Sequence, residues 1–157
     1  MIINEGNIFI YIQKKENDSV KGFLTKSGVD VIDPEQRTSL INATFYNNIE
    51  LMNWLIENGA NVDAQDLEGF TALHFACQEN YIESVKILLA ANANMNIVDI
   101  YGNTPSWITI MNWKGGENFP VLKELYRHNA DLTIKNKVGK SAIDIIPESI
   151  MNQLVSS

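Results

Sequence analysis

Cysteine is almost missing: Cys77 stands alone among 157 residues. No intrachain disulfide can form, which fits a reducing compartment, and a cytoplasmic location is expected. Positive charge is also scarce. Twelve Lys and Arg stand against nineteen Asp and Glu, a formal net charge of −7. Affinity for nucleic acid comes largely from cations that neutralise phosphates, and an anionic membrane surface likewise attracts basic segments. Neither partner is expected. No window reaches the ~18 apolar residues a membrane span needs. The apolar run from Ile8 to Ile12 lacks a basic segment before it and a small-residue cleavage site after it, so no signal peptide is read there.

The usual carriers of catalysis are missing too. Histidine is limited to His74 and His128, and no Cys-x-x-Cys, His-Glu-x-x-His, Gly-x-Ser-x-Gly or phosphate-loop pattern occurs. The paired glycines of "KGGEN" (114–118) follow no strand and precede no Lys-Ser/Thr, so they read as a flexible bulge between helices. No catalytic residue, metal ligand or cofactor is expected. Cys77 reads as a small buried apolar group, and His128 as a cation near a helix C-terminus.

What the chain does have is repetition. "DPEQRTSLINATFYNNIELMNWLIENGANVDAQ" (33–65) laid on the next 33 residues, "DLEGFTALHFACQENYIESVKILLAANANMNIV" (66–98), aligns Asp33 with Asp66, Thr38 with Thr71, Leu40 with Leu73, Leu55 with Leu88 and Ala60 with Ala93. A further step of 33 gives Asp99, Gly102 and "TPSW" (104–107). The next start, Asn136, lies 37 residues on, so about four extra residues fall near 112–119. Val20 to Gly28 matches Val85 to Ala93 more weakly, with "GNIFIYIQ" in the place of "TALHFACQ" and a following turn two residues shorter. Each unit predicts two short helices. Thr38, Thr71 and Thr104 are placed to cap the first helix, and Pro105 fits a first helical position. Leu73, Ala76 and Cys77 share one helix face, as do Val85, Leu88 and Leu89. Gly59, Asn92 and Asn129 suit a left-handed helix end. Such units bury their apolar faces only by stacking, and the stack needs polar caps at its ends.

The motifs "GFTALHFA", "GNTPSW", "VKILLAANANMN" and "LIENGANVDAQD" resemble the ankyrin repeat family. The resemblance implies an all-α solenoid with hairpin-like turns: a degenerate N-terminal cap at 1–32, repeats at 33–65, 66–98 and 99–135, and a C-terminal cap at 136–157. Ile41 and Trp107 depart from the pattern where His74 stands, and Gln36 replaces a turn glycine. His74 would bond neighbouring turns through its ring nitrogens. Trp54 and Trp107 would be core, and a last helix would run from Ser149 to Val155.

The resemblance also implies protein binding on the concave face, by residues after each repeat-initial Asp and along the first helix. These are Pro34, Glu35, Arg37, Phe45 and Tyr46; then Leu67, Glu68, Phe70, Gln78 and Glu79; then Ile100, Tyr101, Asn103, Met111 and Asn112, with Trp113 and Lys114 beside the insertion. Phe45, Tyr46, Leu67, Phe70, Ile100, Tyr101 and Trp113 are apolar or aromatic where the repeat itself does not require it, and aromatic residues anchor interfaces. From Asp30 to Trp113 eleven acidic residues face two basic ones. This acidic band suits a basic partner. Small stand-alone bacterial ankyrin proteins look similar and include immunity proteins, so an inhibitor of a basic enzyme such as a toxin is one expectation, and an adaptor joining other proteins is the other. The chain is expected to be monomeric on its own.

Overall fold

The computed structural model describes residues 2–113 and 116–156. Its described residues form ten helices and no strand. The helices come in pairs: α1 (Ile8–Gln13) with α2 (Asn17–Ser27), α3 (Ser39–Phe45) with α4 (Ile49–Glu57), α5 (Ala72–Gln78) with α6 (Ile82–Ala90), α7 (Pro105–Met111) with α8 (Phe119–Arg127), and α9 (Ala142–Ile145) with α10 (Glu148–Val155). Helices this short are unstable alone in water, so stacking must hold them. The first helices form one row, with α1 on α3, α3 on α5, α5 on α7 and α7 on α9. The second helices form another, α2 on α4, α4 on α6 and α6 on α8.

The start of each first helix is set by its cap. The hydroxyls of Thr38, Thr71 and Thr104 accept the N–H groups of Ile41, His74 and Trp107 at 3.2, 3.4 and 3.2 Å. Such caps satisfy donors that the helix itself leaves unpaired. In the last pair Ser141 donates its own N–H and its hydroxyl to the Asp144 carboxylate, each at 2.8 Å. These bonds hold the Asp144 carboxyl below its ordinary range. Pro105 opens α7 at a first-turn position, where its missing N–H costs nothing.

Left-handed residues carry the period through the backbone. Gln36, Gly69, Gly102 and Gly139 have positive φ at the turn tips. Gly28, Gly59, Asn92 and Asn129 do so after the second helices. That second series reproduces both irregularities in the spacing, the shorter first step and the longer last one. Two of the tip glycines also make room. A Cβ on Gly69 would lie 3.0 Å from Asp99 Cα, and one on Gly102 would lie 3.0 Å from Asn136 Cα, so successive tips pass backbone against backbone.

Burial goes further than one helical face. In α5 every residue from Ala72 to Cys77 is buried, because α3, α6 and α7 enclose it. Cys77 lies at the centre, and burial pushes its thiol up to about 12. It is an inert core group. The polar side chains of the first-helix row mostly bond inward: Thr44 and Thr109 donate to the carbonyls of Leu40 and Pro105, each at 2.9 Å. Ser106, buried where Leu40 and Leu73 stand in their units, finds no hydrogen-bond partner among the described residues. Trp54 and Trp107 are half-buried, a correction to their expected place in the core. The second-helix row turns one side to solvent, and Trp54 packs on the core with only part of its surface. The final helix begins at Glu148, one residue before the expected Ser149.

Candidate partner-binding surface

Each turn tip is organised by its first residue. Asp33 Oδ1 accepts the N–H of Glu35 and Arg37 at 3.0 and 2.9 Å; Asp66 Oδ1 accepts those of Glu68 and Phe70 at 2.9 and 2.8 Å. Asp99 does the same for Tyr101 and Asn103, both at 2.8 Å, and Asn136 for Val138 and Lys140, both at 3.1 Å. Each tip also closes by two backbone bonds, such as Asp66 N–H to Phe70 C=O at 2.9 Å and Gly69 N–H to Asp66 C=O at 3.0 Å. Successive tips are then tied in a row. Leu67 N–H donates to Glu35 C=O at 3.0 Å, Ile100 N–H to Glu68 C=O at 2.9 Å, and Lys137 N–H to Tyr101 C=O at 2.9 Å. The expected tip residues therefore do share one surface.

His74 secures the second tip to the third. The N–H of Thr71 points at Nδ1, 3.1 Å away, so Nδ1 accepts and Nε2 carries the proton. Nε2 then donates to the carbonyl of Asn103 at 3.2 Å. Burial lowers the imidazole to about 4, although the Asn103 carbonyl and the Asp99 carboxylate favour its charged form. The ring is neutral and structural. His128 is exposed at the end of α8, with Nδ1 3.0 Å from the Glu124 carbonyl.

Several expected contact residues turn out to be occupied. Phe45, Tyr46 and Phe70 are half-buried against the core. They belong to an aromatic chain in which Phe45 meets Tyr46 and Phe75 edge-on, at 5.0 and 5.6 Å between centroids. Phe70 meets Phe75 at 5.3 Å and stacks on His74 at 5.1 Å. The expectation that these three aromatics are dispensable to packing is corrected: they seal the junction between adjacent units. Arg37 donates from Nε to Asp33 at 2.9 Å and from Nη2 to Glu35 at 3.1 Å, and its guanidinium lies 5.8 Å from the Phe45 centroid. Asn103 donates to Asp99 Oδ2 and accepts from Asn136, so it braces the third tip. Asn112 is half-buried and donates to the Ile108 carbonyl. Trp113 packs edge-on against Phe119 at 6.5 Å. Lys114 lies outside the described residues.

The remaining candidates face solvent. Leu67 is 57% exposed, Ile100 44%, Tyr101 62% and Met111 61%. Pro34, Glu35, Glu68 and Glu79 are exposed, and Gln78 is half-buried and donates to Glu79 at 3.0 Å. Glu68 has no cation partner among the described residues. The acidic band is therefore smaller in practice than in the sequence. Asp33 and Asp99 are buried in their tips, Asp30 and Asp63 accept the N–H groups of Asn61 and Asn94, and Glu50 pairs with Lys21 at 2.6 Å. Glu57, Glu68, Glu79 and Glu83 stay exposed with no cation partner among the described residues, and Glu35 is exposed but paired with Arg37.

Phe75 escaped the sequence reading. It lies 33 residues from Asn42 and from Ile108, so no repeat rule marks it. The signal was local, two phenylalanines and a histidine within residues 70–75. Phe75 lines a cavity of about 310 Å³ together with Glu35, Arg37, Asp66, Leu67 and Glu68.

The insertion sits between α7 and α8, where it was expected. Its end is fixed by Asn118, which is buried and donates to the carbonyls of Thr109 and Asn112 at 3.2 and 3.0 Å. Asn80 of the preceding unit donates to the Glu117 carbonyl at 3.1 Å.

Among the described residues no group of three or more His, Cys, Asp or Glu could hold a metal ion, and no helix is long and apolar enough to cross a membrane. A family model for ankyrin repeats, three copies, matches residues 8–99 and, in a second alignment, 40–136. The chain matches no curated protein.

Proposed function

Since the chain belongs to the ankyrin repeat family, whose repeats are protein-interaction modules, we propose that it is an inhibitor that docks on a basic protein partner through its row of turn tips and first helices. The observation that carries this reading is the exposed set Leu67, Ile100, Tyr101 and Met111 beside Glu68 and Glu79. Exposed apolar side chains with exposed acidic residues on the same tips and first helices suit a docking surface, the charge acting mainly on the association rate. A nuclease-type toxin, which needs a basic cleft for phosphates, is the class of partner this charge suits.

Affinity capture from the source cell, at low and moderate salt, tests the reading. One basic enzyme recovered in near equal amount, and inactive in the complex, supports it. A partner that keeps its activity, or several unrelated partners, makes the protein an adaptor instead. With the partner in hand, Tyr101→Ala and Met111→Ala are each expected to weaken binding by roughly 10- to 30-fold, the range of a buried interface anchor. Charge reversal at Glu35, Glu68 and Glu79 is expected to slow association and flatten its salt dependence; unchanged kinetics would remove the electrostatic part of the reading.

A further inference from the structure

The cavity between the first and second turn tips differs from the rest of the exposed surface. Its lining includes Phe75, which is only 8% exposed and is held edge-on by Phe45 on one side and Phe70 on the other. Leu67 supplies a further apolar wall. Glu35, Asp66 and Glu68 bring three carboxyl groups to the lining, and Arg37 brings the single cation. That cation is already committed. Its Nε and Nη2 are bonded to Asp33 and Glu35, and its guanidinium is turned over Phe45. Asp66 Oδ1 is committed as well, to two backbone N–H groups. The carboxylate of Glu68 is left without a cation among the described residues.

An apolar, aromatic lining with excess negative charge suits one kind of guest, a side chain with an apolar stem and a cationic head. The volume, about 310 Å³, is at the lower end for ligand pockets and ample for a single side chain. The molecule also contains a neighbouring example of the recognition: Arg37 lies between a phenylalanine face and two carboxylates. We infer that this cavity receives one lysine or arginine side chain of the partner, its stem along Phe75 and Leu67 and its cation at Glu68, with Glu35 adding to the field. The inference rests on the partner-docking reading above and specifies one contact within it. A side chain whose stem lies on an apolar wall and whose cation meets a carboxylate gains more than a cation in open water, so the contact selects for a basic residue at one position of the partner and not merely for net positive charge.

The test uses the full chain and three small probes, the N-acetyl methylamides of arginine, lysine and norleucine, titrated while the amide and ring resonances are followed by NMR. The arginine and lysine probes are expected to shift Leu67, Glu68 and Phe75 saturably, with affinity on the order of millimolar for fragments this small. Norleucine, which keeps the stem and lacks the charge, is expected to shift them at least about fivefold more weakly, and E68Q is expected to weaken the cationic probes by about threefold or more. E35Q serves as the second variant; both positions are exposed, so folding is unaffected. No saturable shift, equal shifts from norleucine, or cationic binding unchanged in E68Q and E35Q would each overturn the inference. The wider reading fails separately: cationic probes that bind here, while Tyr101→Ala and Met111→Ala leave partner affinity untouched, would keep the cavity and sink the docking surface around it.

Discussion

The first turn-to-helix junction (33–42) and the second (66–75) have the same backbone course and different chemistry. At the second, His74 accepts the N–H of Thr71 and reaches across to the carbonyl of Asn103. At the first, Ile41 holds that position, and the work passes to the next residue. Asn42 donates from Nδ2 to Asp33 Oδ2 at 3.0 Å and to the carbonyls of Arg37 and Thr38, each at 3.2 Å. So His74 ties its unit to the following one, whereas Asn42 ties the first tip to its own helix. The third junction has a further solution, the Asn136 amide bonded to the Asn103 carbonyl oxygen of its side chain. What the fold demands is that the buried polar groups of each junction be paired; the residue that pairs them is open to change.

The largest expected difference between the junctions follows from removing the histidine. His74→Ala leaves the Thr71 N–H unpaired, takes one of two donors from the Asn103 carbonyl and opens a cavity in a fully buried site, so a loss of roughly 3 kcal/mol is expected by urea unfolding. Acid should expose the same residue. The folded imidazole, lowered to about 4, stays neutral where the unfolded one, near 6.5, takes up a proton. The His74 contribution to stability is then full above pH 6.5, falls as the pH drops towards 4 by roughly 3 kcal/mol in all, and levels off below, where protonation of carboxylates held low, such as Asp144, takes over. The first junction has no such group, so the slope should vanish in a His74→Gln variant. A slope that persists would assign the titration to other groups.

The turn tips give a smaller contrast. Gly69→Ala places a methyl against the Asp99 backbone at a positive φ and is expected to cost about 2 kcal/mol. Gln36 already has a side chain at the matching position with φ 60. Gln36→Gly is expected to change stability by less than about 1 kcal/mol. Equal effects at the two tips would mean that close backbone approach does not govern the second one. The smallest effect belongs to the third unit. Ser106→Ala removes an unpaired buried hydroxyl and is expected to stabilise by about 1 kcal/mol, seen as a higher melting temperature.

Much of the architecture was legible because stacking writes itself into each unit. The threonine caps, the left-handed positions and the 33-residue step, with its one shortened and one lengthened interval, all appear where the repeat placed them. The contact surface was less legible for a physical reason. Repetition reports what every unit needs, and a partner surface is what one unit has and its neighbours lack. Phe75 was invisible because its partners, Phe45 and Phe70, come from the preceding unit and from its own tip, a sideways contact that no periodicity encodes. The same holds for Arg37, which the resemblance places among the partner-binding residues and which is spent on Asp33 and Glu35. Burial of α5 on every side was likewise beyond a rule that assigns a short helix one apolar face.

The insertion carries a consequence for how such a chain can change over generations. The connection from α5 to α6 is three residues, 79–81, and that from α7 to α8 is seven, 112–118. Closing the longer loop costs only about 0.7 kcal/mol more in chain entropy. Asn118, anchored to Thr109 and Asn112, returns the chain to register, and α8 packs on α6 and α7 as α6 does on α4 and α5. Length gained at that edge is absorbed before it reaches the next unit. A lineage can therefore lengthen, trim or rewrite that loop in search of a new partner while the stack behind it is inherited unchanged.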